Sequence, residues 1–166
     1  MIDFEQLTRN MKGDVITDSL HQMIYATDAS AYREMPLAVV YPRDASDVKE
    51  CIKFARKNGI TLIPRAAGTS LAGQVVGKGV IVDVSRYMNH VLEINEKEHW
   101  VRVEPGVVLD ELNMRVKSLG LFFGPETSTS NRCCLGGMVG NNSCGSHSLV
   151  YGSTRDHLLE AKVILS

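Results

Sequence analysis

The stretch that most constrains this chain is residues 64–74, which reads Pro-Arg-Ala-Ala-Gly-Thr-Ser-Leu-Ala-Gly-Gln. It follows an apolar run, residues 60–63, of the kind that forms buried strands. Gly68 and Gly73 can adopt positive φ and the nearby alanines add little bulk, so successive backbone N–H groups can converge on an anion. A plain glycine-rich connection between two strands is the alternative. A second stretch rich in glycine and hydroxyl groups, residues 124–145, favours a binding function.

Length and composition are those of an ordinary globular protein. A chain of 166 residues predicts one domain or two small lobes and buries roughly 70% of its unfolded surface. Its net charge of −1 gives no electrostatic reason to expect nucleic acid or a membrane surface as partner. No run is long enough for a membrane span and the N-terminus lacks the pattern of a signal peptide, so we expect a cytoplasmic protein. The four cysteines are then expected to be reduced thiols.

Hydrophobic periodicity predicts an α+β fold. We expect helices at residues 3–11, 20–25 and 109–119, and a further helix that is capped by Asp44 and ended by Gly59. We expect strands at residues 37–41, 60–63, 80–84, 91–95, 100–103 and 158–165. The predicted organisation is an N-terminal helical extension (1–36), a βαβ-like first lobe (37–84) and a second, mixed-sheet lobe (85–166). Because the last predicted strand runs to the final residue without a turn, we expect the second lobe to be truncated.

Three known site types fail or fit poorly. A P-loop needs Lys and Ser or Thr where Gln74 and Val75 stand. A dinucleotide fingerprint needs three close glycines that open a helix, and residues 75–79 do not begin one. Cys134, Cys144 and His147 have partly ligand-like spacing, but paired Cys-x-x-Cys knuckles are absent, so we expect no metal site.

Five segments together resemble a known flavoprotein family. They are residues 64–73, Val-Glu-Pro-Gly at 103–106, Pro-Glu-Thr-Ser at 125–128, the glycine- and asparagine-rich stretch 136–147, and Tyr-Gly-Ser-Thr-Arg-Asp at 151–156. Their order and spacing resemble the FAD-binding domain (PCMH type) of the vanillyl-alcohol oxidase and p-cresol methylhydroxylase superfamily. The nearest branch is that of the FAD-linked D-2-hydroxyacid dehydrogenases, which includes D-lactate and D-2-hydroxyglutarate dehydrogenases and the glycolate oxidase FAD subunit. Residues 128–134 and 141–147 resemble the large enzymes of this branch that are fused to an iron-sulfur half.

The resemblance implies that FAD is the cofactor and that two sets of residues contact it. The first set is expected around the pyrophosphate, and the second along the ribityl chain and isoalloxazine ring. The first set is Arg65, Ala66, Ala67, Gly68, Thr69, Ser70 and Leu71. The second set is Pro125, Glu126, Thr127, Ser128, Gly136, Gly137, Asn141, Asn142, Ser143 and Gly145.

The resemblance also implies an oxidoreductase in which a D-2-hydroxyacid transfers a hydride to flavin N5. The substrate-binding groups of this branch lie in a cap domain after the FAD domain, so we expect no catalytic residue in this chain and an inactive fragment on its own. The electron acceptor is left open. The alternative function is a cofactor-free structural or interaction domain that retains a degenerate flavin cleft.

Overall fold

The computed structural model describes residues 2–165. They form two compact units: the first contains the described residues up to Tyr87 together with those from Val163, and the second spans Met88–Lys162. Both units combine helices with strands, which confirms the predicted α+β class. Within this part of the chain, no helix has both the length and the hydropathy needed to cross a bilayer.

The first unit is built on a four-stranded sheet with helices packed against it. Its elements in chain order are α1 (Phe4–Asn10), β1 (Asp14–Ile16), α2 (Ser19–Tyr25), β2 (Ala38–Tyr41), α3 (Ala45–Asn58), β3 (Leu62–Arg65) and β4 (Val80–Asp83). The sequence analysis predicted only helices before residue 37 and missed β1, a three-residue strand too short for an alternating pattern to show.

Strand order in this sheet is β1-β2-β4-β3. Strands β2, β4 and β3 run parallel, and β1 is antiparallel to β2. Since parallel strands end at the same edge, the segments that follow β2, β3 and β4 emerge side by side. In open sheets of this kind ligands bind at that edge, and the glycine-rich stretch begins there, directly after β3.

The sheet is covered on both faces, because every residue of β2 and β4 is buried. One face carries alternate residues of these strands together with Leu7, Cys51 and Phe54. Cys51 is thus part of the buried core. The opposite face carries Val39, Tyr41, Ile63 and Ile81.

Helix α3 has the ends that its sequence predicts. The Asp44 carboxylate accepts hydrogen bonds from the backbone N–H groups of Ser46 and Asp47. Gly59 ends the helix in the left-handed conformation, with φ 62°. Such a cap at each end satisfies donors and acceptors that the helix itself leaves unpaired.

The second unit combines a two-stranded hairpin with short helices. Its elements are β5 (Val91–Asn95), β6 (Trp100–Val103), α4 (Leu109–Val116), α5 (Leu135–Asn141) and α6 (Ser148–Tyr151), with 3₁₀ turns at Lys117–Leu119 and Thr154–His157. The hairpin is antiparallel, as predicted. A buried cluster joins α4 to α5 through Leu109, Leu112, Val116, Leu135 and Met138.

The strand predicted over residues 158–165 is wrong, because the described residues of this segment form no strand and no ladder pairing. Leu159 and Leu165 are 78% and 84% exposed. A run of β-branched and apolar residues supplies strand propensity, but a strand also needs a neighbour to receive its backbone hydrogen bonds, and propensity depends on that context.

Candidate functional site

The loop after β3 presents a run of backbone donors with no protein acceptor. Within residues 2–165, none of the N–H groups of residues 66–73 donates to another protein group. Gly68 and Gly73 have φ of 64° and 73°. The loop is partly exposed, so these donors are accessible to solvent or to a ligand. Successive free N–H groups around left-handed residues form the type of nest that binds anions.

The Arg65 side chain packs against this loop and against the segment before β2. Its Nη1 donates to the carbonyl oxygens of Thr27, at 2.9 Å, and Tyr25, at 3.4 Å. The guanidinium lies over the Tyr25 ring, 4.9 Å from its centroid. A Cβ on Gly68 would come within 2.7 Å of Arg65 Nη2, so the glycine is needed for space as well as for its backbone conformation. The predicted contact of Arg65 with the cofactor stays a prediction.

The other side chains of the first stretch are placed as follows. The Ser70 hydroxyl donates to the Gln74 side-chain oxygen. Leu71 is 79% exposed, and the Thr69 side chain is partly buried. Gly73 packs beneath the Tyr32 ring, and a Cβ there would lie 2.5 Å from the ring. Because Ala29 N–H also donates to Gly68 O at 3.0 Å, the loop is held at both of its glycines by contacts from the segment before β2.

In the second unit, α5 begins against the backbone that follows β6. Leu135 N–H donates to Val107 O and Gly136 N–H donates to Pro105 O, both at 2.8 Å. A Cβ on Gly136 would lie 2.5 Å from the Pro105 side chain, so the glycine allows this close approach. Gly137, one residue further on, is exposed. The glycine pair thus lies in the first turn of α5, whose first amides already donate to protein carbonyls.

Glu126 joins two parts of the second stretch. Its carboxylate accepts a hydrogen bond from the Ser146 hydroxyl at 2.7 Å and lies 2.6 Å from His147 Nδ1. The Ser146 hydrogen bond, and then the nearby His147, lower the pKa of Glu126. Gly145 packs on the Glu126 carbonyl, where a Cβ would be only 2.4 Å away. This contact accounts for glycine at position 145.

The asparagine-rich turn is fixed by the last 3₁₀ turn. Asn142 is left-handed, with φ 47°, and its Oδ1 accepts from Arg155 N–H at 3.0 Å. The carbonyl of Ser143 accepts from the N–H and from the hydroxyl of the buried Thr154. The sequence analysis did not single out Thr154, whose neighbours in the chain gave no signal of burial. Asn141 is exposed at the end of α5.

The remaining predicted residues line the turn before α5. Pro125 is buried and Ser128 is exposed. The Thr127 hydroxyl lies 3.1 Å from Cys133 Sγ and 3.3 Å from the Thr129 hydroxyl. Thr127 is therefore engaged with the turn itself.

Among the described residues, cysteine and histidine side chains are not grouped as metal ligands. Cys134 is buried whereas Cys144 is exposed. Across residues 2–165, no group of three or more His, Cys, Asp or Glu side chains is arranged to hold a metal ion. All four cysteines are present as thiols.

A family model described as an FAD binding domain matches residues 36–166. This chain belongs to the FAD-binding domain family. Its cofactor is therefore FAD, and the predicted superfamily resemblance is confirmed. The unpartnered N–H groups of residues 66–73 fit the anionic pyrophosphate of this cofactor, because such donors bind phosphate oxygens without a charged side chain.

Curated relatives include D-2-hydroxyglutarate dehydrogenase of Escherichia coli K12, which is 46% identical over 92% of this FAD-binding chain. The glycolate oxidase subunit GlcD of Bacillus subtilis is 33% identical over 87% of the chain. The chain spans 15% and 31% of the length of these two relatives.

Solved structures show the same fold at lower identity. An alkyldihydroxyacetonephosphate synthase matches 92% of this FAD-binding chain, and the match covers 34% of that protein, with TM-score 0.81 and 22% identity. The 6-hydroxy-D-nicotine oxidase of Arthrobacter nicotinovorans matches 88% of the chain, covering 32% of the oxidase, with TM-score 0.74 and 22% identity.

Proposed function

We propose that this chain binds the FAD pyrophosphate on residues 66–73 and serves as the cofactor-binding part of a flavoprotein that oxidises a D-2-hydroxyacid. The substrate class is supported by the printed activities of two relatives, D-2-hydroxyglutarate dehydrogenase of Escherichia coli and glycolate oxidase subunit GlcD of Bacillus subtilis. A cytoplasmic location stays a prediction of the sequence.

The observation that carries this proposal is the series of N–H groups at residues 66–73 that have no acceptor within residues 2–165. Hydrogen bonds from backbone amides to an ionised oxygen are shorter and stronger than those to a neutral one. Backbone donors without an acceptor cost free energy when they are buried, and a bound anion satisfies them. Gly68 has a left-handed φ of 64°, which is the backbone conformation found in anion-binding nests.

In this scheme FAD, when bound, supplies the hydride acceptor, and the residues of this chain bind and orient it. The contacts of the second stretch with the ribityl chain and flavin ring belong to the proposal. They comprise Pro125, Glu126, Thr127, Ser128, Gly136, Gly137, Asn141, Asn142, Ser143 and Gly145. No residue of this chain is assigned a proton-transfer role, so the groups that bind the hydroxyacid are proposed to lie in other parts of a longer protein.

The test is FAD titration of Gly68→Val and Thr69→Ala variants. Valine at position 68 is strained at φ 64° and collides with Arg65, so it should distort the loop and weaken FAD binding by about tenfold or more. Thr69→Ala keeps the backbone donors and should weaken binding less.

The matched control is Gly59→Val. Gly59 has nearly the same left-handed φ, 62°, but nothing lies within 4 Å of a Cβ placed there. This variant should lose stability without losing FAD affinity. Equal FAD affinities for Gly68→Val and the unmodified chain would remove the pyrophosphate assignment. A chain that takes up no FAD under any condition would favour the cofactor-free alternative.

A further inference from the structure

We propose that Tyr25, Thr27 and Ala29, here called the bracket, position the first glycine-rich loop, and that Arg65 serves this bracket instead of contacting the cofactor phosphate. The bracket lies before residue 36, where the match to the family model begins. The inference rests on the proposed binding of the FAD pyrophosphate by residues 66–73.

The bracket contacts the loop through three hydrogen bonds. Arg65 Nη1 donates to Thr27 O at 2.9 Å and to Tyr25 O at 3.4 Å. Ala29 N–H donates to Gly68 O at 3.0 Å. The guanidinium fills the space beside Gly68 Cα, so a movement of Arg65 toward a ligand would vacate that contact and break both carbonyl hydrogen bonds.

The bond from Ala29 sets the direction of a loop donor. The peptide between Gly68 and Thr69 is trans, so its carbonyl and its N–H point in opposite directions. Because Gly68 O faces Ala29, Thr69 N–H faces away from the bracket, where none of the described residues accepts a hydrogen bond from it. The bracket thus orients Thr69 N–H, which is one of the amides that the proposed function requires.

The bracket is anchored to the sheet through Tyr25. The Tyr25 hydroxyl donates to Asp83 Oδ2 at 2.6 Å, and Asp83 is 4% exposed at the end of β4. Asp83 Oδ1 accepts from the N–H and hydroxyl of Ser85. Burial, and then the hydrogen bond to Asp83, raise the pKa of the Tyr25 phenol and keep it a neutral donor. Arg65 and Asp83 are also paired in the β3–β4 ladder. The contacts that run from Arg65 through Tyr25 to Asp83 therefore connect two residues that are already neighbours in the sheet.

The chemistry of Arg65 fits a positioning role. Its contacts are two neutral carbonyls and an aromatic face, which together use the planar donor fork and the cation–π attraction of a guanidinium. Lysine carries the same charge but lacks the planar fork, so it would not reproduce this arrangement. If Arg65 acted on phosphate by its charge alone, replacing it with lysine would cause little loss of FAD affinity.

The experiment compares Arg65→Met, Arg65→Lys and Tyr25→Phe variants of this chain, with Arg9→Met as control. Arg9 is exposed and, within the described residues, pairs with Glu5 at i,i+4 spacing on α1. The first readout is hydrogen exchange at the Ala29 amide, measured by NMR without FAD. Val84 N–H, which donates to Arg65 O, is the internal reference in the same spectra. The second readout is FAD affinity.

For a positioning role, both Arg65→Met and Arg65→Lys lower the protection of Ala29 by about tenfold or more, since each removes charge-assisted hydrogen bonds. Protection at Val84 stays unchanged, and both variants weaken FAD binding. Tyr25→Phe keeps the ring but removes its anchor, and gives a smaller effect in the same direction. Arg9→Met changes neither readout.

The proposal is overturned if Arg65→Met weakens FAD binding with Ala29 protection intact and Arg65→Lys restores affinity, because Arg65 would then contact the cofactor directly. Unchanged exchange at Ala29 in all three variants would also overturn it. If the unmodified chain takes up no FAD, the proposed function fails, whereas the exchange measurement without FAD still decides whether the bracket holds the loop.

Discussion

The role of the Arg65 guanidinium depends on the groups that the fold places around it. Next to a phosphate-type loop, an arginine is a natural candidate for an anion ligand. Its guanidinium instead donates to carbonyls 38 and 40 residues earlier in the chain. Local sequence predicted the left-handed glycines correctly, because their requirement is set by the loop itself. It did not predict the partners of Arg65, because those depend on how the sheet brings distant segments together.

The four thiols should differ sharply in reactivity. Cys51 is fully buried, and burial, followed by the charge of Asp47, raises its pKa to about 12, so its thiolate is scarce at neutral pH. Cys133 and Cys134 are 5% and 3% exposed, whereas Cys144 is exposed. A thiol-reactive dye at pH 7 is expected to label Cys144 rapidly and the other three only after unfolding.

Two controls accompany the labelling. Cys144→Ser should abolish the rapid phase, and labelling in denaturant should release four thiols for the unmodified chain. Elemental analysis of the same sample should find no stoichiometric zinc or iron. Rapid labelling of Cys51 in the folded protein, or bound metal released by denaturant, would contradict the packing described for these residues.

Helix α3 is the element whose sequence signals were most complete. Its N-cap and its left-handed C-terminal glycine depend on residues within the helix or next to it, and both were predicted. The segment at residues 158–165 shows the opposite case. A strand is defined by hydrogen bonds to a neighbour that can lie anywhere in the chain, so its own residues gave a propensity and no pairing. Strand β1 was missed for a related reason, since three residues carry too little pattern.

At the same scale, Asp44 should contribute a pH-dependent part of the stability of α3. The hydrogen bond from Lys12, and then that from Ser46, lower the pKa of Asp44 below its ordinary value of 3.8. A lowered carboxyl pKa gives stability that is present above the unfolded pKa and is lost as pH falls through the folded pKa. Asp44→Ala should cost about 1 kcal/mol at pH 7, the usual loss for a removed N-cap. Denaturant unfolding should show that the difference shrinks below about pH 4.

Asp44→Asn separates the cap from the charge. Asparagine caps helices about as well as aspartate, so this variant should keep most of the stability at pH 7 and lose the pair with Lys12. Its stability relative to the unmodified chain should therefore improve on acidification. A destabilisation by Asp44→Ala that is as large at pH 2.5, a value chosen to lie well below about 3.9, as at pH 7 would show that the carboxylate charge contributes nothing.

At the scale of the whole molecule, the family and the fold could be predicted because short motifs kept their order along most of the chain. The match to the family model covers residues 36–166. The bracket before residue 36 could not be predicted in the same way, because its hydrogen bonds to the loop and to Arg65 use main-chain atoms of Tyr25, Thr27 and Ala29 that carry no sequence signature. The sequence motifs identify the loop, and the structure adds the bracket that holds the loop in place.

The last prediction concerns cofactor retention by this chain alone. The chain spans 15% of the length of the Escherichia coli relative, and the first loop offers backbone donors for one part of a large cofactor. Each loss of about 1.4 kcal/mol in contacts weakens binding tenfold, so a site that makes only part of its contacts should hold FAD weakly. Protein purified without added FAD is therefore expected to be colourless, and added FAD to bind with an affinity that depends on Gly68.

Activity should be absent even with excess FAD, because no residue of this chain is assigned to bind the hydroxyacid or to take its hydroxyl proton. The assay offers D-lactate or D-2-hydroxyglutarate with an artificial dye as acceptor, and free FAD without protein is the blank. If the chain binds FAD but does not reduce the dye, the result supports the proposal that this chain binds the cofactor and that other parts of a longer protein bind the hydroxyacid. A yellow protein that reduces the dye would show that the catalytic groups lie within these 166 residues, and the exposed side chains of Ser128 and His147 would then be the first to substitute.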